Sequence, residues 1–547
     1  MTDAAVTEVR DVKRLGDFSV TPRMLKVTAF ALPIGAVSAC VAWALLRLIG
    51  FITNGVFYHR LATSLVAPDN GHDNPALVLL APIVGGLVIG VLARYGSEKI
   101  RGHGMPEAIE AILIGGSRVQ PRVALLKPVA SAIAIGTGGP FGAEGPIIMT
   151  GGAVGSLCAQ FLELTADERK TLLVAGATAG MAATFNTPFA AVLLAVELLL
   201  FEWRPRSYVP VAAAVVVATA IRRIILGSGL LFPVHGALHI TTKALALCVA
   251  SGIASALLAV IATVLVYASE DGFRRLPIHW MWWPAIGGLV IGIGGLIVPQ
   301  TLGVGYDVID GELTGSISLG LVGGILIVKT LIWSLSLGSG TSGGVLAPMF
   351  MIGGALGVVE SHVFPQVGVG FWALVALAGV LGGVMRSPFT GVAFAIELTG
   401  RFDAVLPLII SASTAYGLSV LLLKRSVLTE KIARRGYHLS REYDVDPLET
   451  LFVSDVMTPG GVQRTADAII TYPDATLREV SYLMAEYHRT DCVVVSRSNE
   501  HEVLGLVTLQ DLLVGRRHDL REAQHSERIL QIPLGPSGFL MPRQFRR

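Results

Sequence analysis

Charge is scarce in this sequence. Of its 547 residues, 15% are Asp, Glu, Lys or Arg, against about a quarter in soluble globular chains. The shortage is uneven, and between Lys127 and Glu163 the single charge is Glu144. Cysteine is rarer still. Cys40, Cys158 and Cys248 fall in apolar runs and Cys492 in a polar region, so their spacing offers neither a metal site nor a disulfide framework. A Gly-rich P-loop, a nucleophile–base set and a metal-ligand cluster are also missing, which argues against an enzyme and against a metal. The net charge of +2 says little by itself, and no nucleic-acid partner is expected.

Apolar residues fill the space that charge leaves. The chain is 52% hydrophobic with 62 glycines, and its mean hydropathy is +0.65. Long apolar runs occupy Val27–Leu46, Ala76–Ala93, Ala244–Tyr267, Leu319–Val328 and Leu406–Leu423. Several approach the roughly 20 residues that a spanning helix needs. Others, broken by Gly or Pro, suit helices that enter a bilayer part-way, where irregular backbone survives only against protein or a wet cavity. Arg10, Lys13, Arg14, Arg23 and Lys26 precede the first run, and Lys424, Arg425, Lys431, Arg434 and Arg435 follow the last. Positive charge favours the cytoplasmic side, which places both ends inside. The basic start leads into a run too long for a cleavable signal.

Composition shifts near Gly436, dividing a cytoplasmic segment (1–22) and a membrane body (23–436) from a polar region (450–520) and a tail (521–547) expected to be disordered. The body repeats itself. "EGPIIMTGGAVG" (Glu144–Gly155) matches "LAPMFMIGGALG" (Leu346–Gly357), with Pro146 and Pro348 separated by 348 − 146 = 202 residues. Lys127 and Lys329 share that offset, and "TPFAAVLLAVEL" (Thr187–Leu198) matches "SPFTGVAFAIEL" (Ser387–Leu398). The halves run over about 75–230 and 280–430. Duplicated halves are common in transport proteins, whose sites lie where interrupted helices meet.

Three loops share one design: "GHGMPE" (Gly102–Glu107), "GAEGP" (Gly142–Pro146) and "GVLAP" (Gly344–Pro348). Each has glycine in the loop and proline in the first turn of the following helix, where the missing N–H costs nothing. Helix starts present free N–H donors and partial positive charge, so three of them converging form an anion site. Such a site needs no full positive charge, and an ion that binds it can leave again.

These loops, with the paired "PFxxxxxAxEL" segments, closely resemble the CLC family of chloride channels and chloride/proton exchangers, over roughly residues 25–435. The resemblance implies an all-α membrane domain of two inverted repeats of tilted, broken helices. It also implies a homodimer with one anion pathway per subunit, here expected in a bacterial inner membrane. By the same resemblance Glu144 is the gating glutamate, a tethered anion that competes with chloride. Anion contacts are expected from Ala143, Gly145, Val345 and Leu346 and from the first loop, His103 and Gly104. Lys127 either supplies background positive potential or snorkels to the interface.

Four positions depart from the exchanger pattern. His103 replaces a serine, and its ring either donates to the anion or turns to a backbone acceptor. Leu198 stands where exchangers carry a proton-transferring glutamate; Glu202 either substitutes for it or marks a helix end with Trp203 and Arg204. Leu428 takes the place of an ion-contacting tyrosine, and Ala143 that of a basic residue. These losses favour passive or weakly proton-coupled chloride flow over stoichiometric exchange. Fluoride is disfavoured because the second loop keeps Glu-Gly-Pro.

The polar region carries "VSDVMTP" (Val453–Pro459) and "TLREVSYLMAEYHRTDCVVVSRSNEHEVLGLVTLQDLL" (Thr476–Leu513), which resemble one CBS module, a small α/β domain. Such modules pair, so a single copy is expected to meet its twin across the dimer. Thr508 and Asp511 match nucleotide-contacting positions in some members, which makes a nucleotide the sole candidate cofactor. The alternative reading is a structural Thr and a helix-start Asp.

Overall fold

A computed structural model describes residues 22–68, 74–113, 115–436, 448, 451–460 and 468–514. The expected N-terminal segment, apart from residue 22, and the tail 521–547 lie outside these. The described residues form two compact units, one within 20–441 and one within 442–547.

In the larger unit a long helix opens each half. α1 (Arg23–Phe57) is followed by α2 (Pro75–Tyr95), α3 (Met105–Leu113), α4 (Pro121–Gly136), α5 (Glu144–Gln160), α6 (Ala166–Phe185), α7 (Pro188–Leu194) and α8 (Pro205–Ile225). The second half runs α9 (Thr242–Arg274), α10 (Trp283–Ile297), α11 (Tyr306–Thr314), α12 (Leu319–Gly324), α13 (Thr330–Gly338), α14 (Leu346–Ser361), α15 (Phe371–Met385), α16 (Pro388–Thr399) and α17 (Val405–Leu422). A short α18 (Val427–Arg434), without a counterpart, ends the unit. The correspondence therefore reaches back to α1 and α9, beyond the limits suggested by sequence matching. Packing repeats as well: α5 lies on α6 as α14 lies on α15, and α1 on α8 as α9 on α17.

Among the described residues seven helical stretches are long and apolar enough to cross a membrane, while Pro188–Leu200, α14, α15 and α16 are apolar but shorter. Their exposed faces carry Leu, Ile, Val and Phe, the composition that hydrocarbon tolerates.

Backbone conformation repeats where the halves match. α6 ends on Asn186 at φ 59° and α15 on Arg386 at φ 56°, both left-handed. Asparagine tolerates this region and arginine rarely does. Arg386 is held there by donating to the carbonyls of Ser419 (3.1 Å), Leu423 and Lys424 (3.3 Å).

The paired glutamates of the "PFxxxxxAxEL" segments join the halves. Glu197 accepts from the N–H groups of Phe389 (3.3 Å) and Thr390 (2.7 Å) and from the Thr390 hydroxyl (2.6 Å). Glu397 accepts from the N–H groups of Phe189 (3.0 Å) and Ala190 (2.7 Å). Each carboxylate thus caps the opening turn of the other half's helix, meeting donors that no helix satisfies internally with charge of the favourable sign.

In the smaller unit the strand order is β1-β4-β3-β2: β1 (Thr458–Pro459), β2 (Ile470–Thr471), β3 (Asp491–Val495) and β4 (Val503–Thr508). β2 pairs parallel with β3, and β4 antiparallel with both β3 and β1. The helix Leu477–Glu486 buries Leu477, Val480 and Met484 against Cys492, Val494 and Val507. Burial, and then the charge of Asp491, push the Cys492 thiol up to about 11.

Removing either reciprocal cap should loosen both halves. Glu197→Ala and Glu397→Ala are each expected to lower the thermal midpoint of detergent-solubilised protein, at about 1–3 kcal/mol for stranded buried donors. The larger drop is expected for Glu197, which satisfies three donors. Equal, unchanged midpoints would show that the caps carry no weight.

Candidate functional site

The loops that precede α5 and α14 meet face to face. The Gly344 N–H donates to the Gly142 carbonyl at 2.9 Å, and Gly102 bridges Ser342 in the same region. Glu144, the first residue of α5, is fully buried, and its Oε1 accepts from the Ala347 N–H at 3.2 Å. The N–H groups of Leu346 and of Glu144 itself also face the carboxylate. The lone carboxylate of the apolar stretch therefore sits on the opening turn of α14, as an anion would.

The glycines beside it are required by its position. A Cβ on Gly142 would stand 1.8 Å from Glu144 Oε2, and one on Gly344 2.3 Å from Oε1. The carboxylate is sandwiched between two bare backbones, and no larger residue fits on either side.

The first loop closes the site from another direction. The His103 carbonyl lies against Gly145, where a Cβ would meet it at 1.9 Å. The His103 side chain is buried, and its Nδ1 has no partner among the described residues, so this nitrogen is not turned to a backbone acceptor. The Gly104 N–H is taken by Glu107 Oε2 at 3.1 Å. Glu107 is itself buried and pairs with Lys431 and Arg435 of the α18 segment, both at 2.9 Å. Arg435 also reaches Glu110. This cluster binds α18 to the start of α3.

Lys127 does not snorkel. It is fully buried and donates to the carbonyls of Ile100 (2.8 Å) and Gly102 (2.6 Å). Its charge thus stands behind the first loop and ties the loop's backbone down. Lys329, equally buried, donates to the carbonyls of Thr301 (2.8 Å) and Gly303 (2.9 Å). A fourth loop, Gly303–Gly305 before α11, is therefore clamped in the same way. Sequence reading passed it over because no proline marks it. The repeat offset was the available signal, since Gly102 and Gly303 are 303 − 102 = 201 apart, as are Gly104 and Gly305. All four are at positive φ.

The other singled-out residues are dispersed. Val345 and Ala143 precede α14 and α5, and their carbonyls accept from Met349 (3.1 Å) and Ile147 (2.9 Å). Donors on the carboxylate lie one step beyond Val345, at Leu346 and Ala347. Leu428 is buried in the first turn of α18, next to Val427, whose carbonyl accepts from the Tyr267 hydroxyl at 2.5 Å. Leu198 is buried in a π-helical turn (Ala195–Leu200) that continues α7. Glu202 lies past that turn among Lys170, Arg204 and Arg206 and accepts from the Ser207 hydroxyl. It marks the end of the helix in an ionic cluster. In the small unit, Asp511 Oδ2 accepts from the Thr508 N–H (2.8 Å) and hydroxyl (2.7 Å). The Asp511 N–H in turn donates to the Thr508 hydroxyl at 3.4 Å, so the pair forms a reciprocal cap at the start of the helix that follows β4.

Comparison with known proteins follows these boundaries. A family model described as voltage gated chloride channel matches residues 85–420, and the CBS domain model matches residues 453–516. The chain is similar to the voltage-gated ClC-type chloride channel ClcB of Salmonella typhimurium, 29% identical over 69% of this chain and 92% of that protein. It is also similar to the H(+)/Cl(-) exchange transporter ClcA of Salmonella arizonae, 28% identical over 74% of this chain and 86% of that one. Among solved structures, a slow cyanobacterial Cl-/H+ antiporter shares the fold with a TM-score of 0.68 at 22% identity, covering 76% of this chain and 99% of its own.

The sandwich around the carboxylate can be tested directly. Gly142→Ala places its methyl where Glu144 Oε2 now lies, and the flexible side chain yields more readily than the backbone. Anion efflux from proteoliposomes is expected to rise toward that of Glu144→Ala, with gel-filtration behaviour unchanged. Efflux equal to wild type would mean that the carboxylate keeps its seat.

Proposed function

This chain belongs to the voltage gated chloride channel family, and we propose that it moves chloride across a membrane in exchange for protons, along a path that Glu144 opens and closes. The observation that carries this reading is the Glu144 carboxylate seated on the N–H groups of α14. Ionised, it holds the donors that chloride would use, drawn by the partial charge of the helix start. Protonated, it loses that attraction and yields the place to the ion. One side chain then handles both chloride and the proton, and coupling follows from their mutual exclusion.

His103, Gly104, Gly145, Leu346 and Ala347 form the walls of the anion site in this reading, with Lys127 holding the first loop in place. Similarity to the exchanger ClcA supports proton coupling at least as well as similarity to ClcB supports a channel. Exchange therefore displaces passive flow as the leading reading. A passive pathway remains the second, favoured by Leu198 and Leu428, neither of which can relay a proton or donate to an ion.

Reconstituted protein in a pH gradient separates the two. An outward chloride gradient is expected to drive protons uphill, and Glu144→Gln and Glu144→Ala should each abolish proton movement while chloride flux continues. Chloride flux without proton movement in the wild type would favour the passive reading. Flux unaltered by both substitutions would remove Glu144 from the gate.

A further inference from the structure

Resting on the gate reading, a second feature of the repeat concerns where the gate goes when it opens. Among the polar atoms near the site that are buried without a hydrogen-bond partner among the described residues are Glu144 Oε2 and the Tyr306 hydroxyl. Buried polar groups are normally satisfied, and an exception calls for a reason. Tyr306 opens α11 directly after the clamped Gly303–Gly305 loop, at the position that Met105 holds in the first half. Gly305 lies against Met351 of α14, where a Cβ would stand 2.7 Å from the sulfur. Tyr306 therefore runs beside the helix whose opening turn holds Glu144, and the Glu144 charge acts on its hydroxyl.

Aromatic rings fix its direction. Phe185 meets Tyr306 edge-on at 6.3 Å and Phe350 of α14 at 6.1 Å, while Phe232 meets Tyr306 at 5.8 Å. Tyr306 also lines a cavity of about 150 Å3 shared with Thr53, Pro68, Gly305 and exposed Asp307. The residue as a whole is partly exposed, while its hydroxyl oxygen is buried. Nearby charges come from Asp307 and Glu312 of α11 and from Lys329, which occupies the carbonyls of Thr301 and Gly303.

We propose that the Tyr306 hydroxyl is the second seat of the Glu144 carboxyl. When the carboxyl leaves the start of α14, it forms a hydrogen bond with Tyr306, and the vacated N–H groups receive chloride. A hydroxyl suits this role because it donates to a carboxylate and accepts from a carboxylic acid, so it receives the gate in either protonation state. Lys329 ties down the loop before α11, as Lys127 ties down the loop before α3.

A double-mutant cycle on chloride efflux from proteoliposomes tests this. Tyr306→Phe keeps the ring packing and removes the oxygen alone. In the wild-type background it is expected to slow efflux severalfold, because the open state loses its hydrogen bond. In the Glu144→Ala background, with no carboxyl to receive, the same change is expected to have no effect. An equal loss in both backgrounds, or no loss in the wild-type background, would overturn the proposal. If Glu144→Ala itself transported like wild type, the gate reading would fall first and this seat with it. If Glu144→Ala altered flux and Tyr306→Phe did not, only the second seat would fall.

Discussion

A carboxylate resting on the opening turn of a helix from the other half of the chain is the contact around which the membrane unit is arranged. Glu144 brings a charge into an interior that penalises charge, and the start of α14 is what makes it tolerable. The contact is feasible because Gly142 and Gly344 leave room on either side of the carboxylate. Its donors are backbone N–H groups and not a fixed cation, which is what the proposed release of the carboxylate requires. A lysine at that point would hold the carboxylate in a full ion pair and hinder its release.

Full positive charges are present nearby but are engaged elsewhere. Lys127 and Lys329 are bound to carbonyl oxygens of the glycine loops, so each acts as a strut with a background field. Lys431 and Arg435 are paired with Glu107, which also takes the Gly104 N–H. The first loop is thereby fastened from two sides, by Lys127 to its carbonyls and by Glu107 to its amide. α18, which carries Leu428, is fastened to the same point.

Much of this was legible in the sequence, for physical reasons. Spanning helices announce themselves by composition, because hydrocarbon admits little else. Glu144 stood out because a lone carboxylate in an apolar stretch needs an explanation, and Gly–Pro loops mark helix starts by their own stereochemistry. What stayed hidden depends on distance along the chain. Glu107 reads as an ordinary acidic residue in a first helical turn, yet Arg435, one of its partners, lies 328 residues away. Glu197 and Glu397 were visible as repeat landmarks, but nothing local shows that each caps the other's helix. Tyr306 carries no proline or charge signal in the sequence; what singles it out is a buried hydroxyl without a hydrogen-bond partner among the described residues. Leu198 stands out in the sequence as a departure from the exchanger pattern, but one missing group says little about mechanism when the relatives include both a protein named as a channel and one named as an exchanger.

The reciprocal caps bear on how such a chain comes into being. The amides at the start of α7 wait for a carboxylate that is synthesised 208 residues later. A ribosome therefore releases the first half into the bilayer with one helix start still bare, and that half can be completed only by the second. Neither half is a finished object, and a duplicated ancestor of this kind would have needed a second copy of itself before its helices were closed.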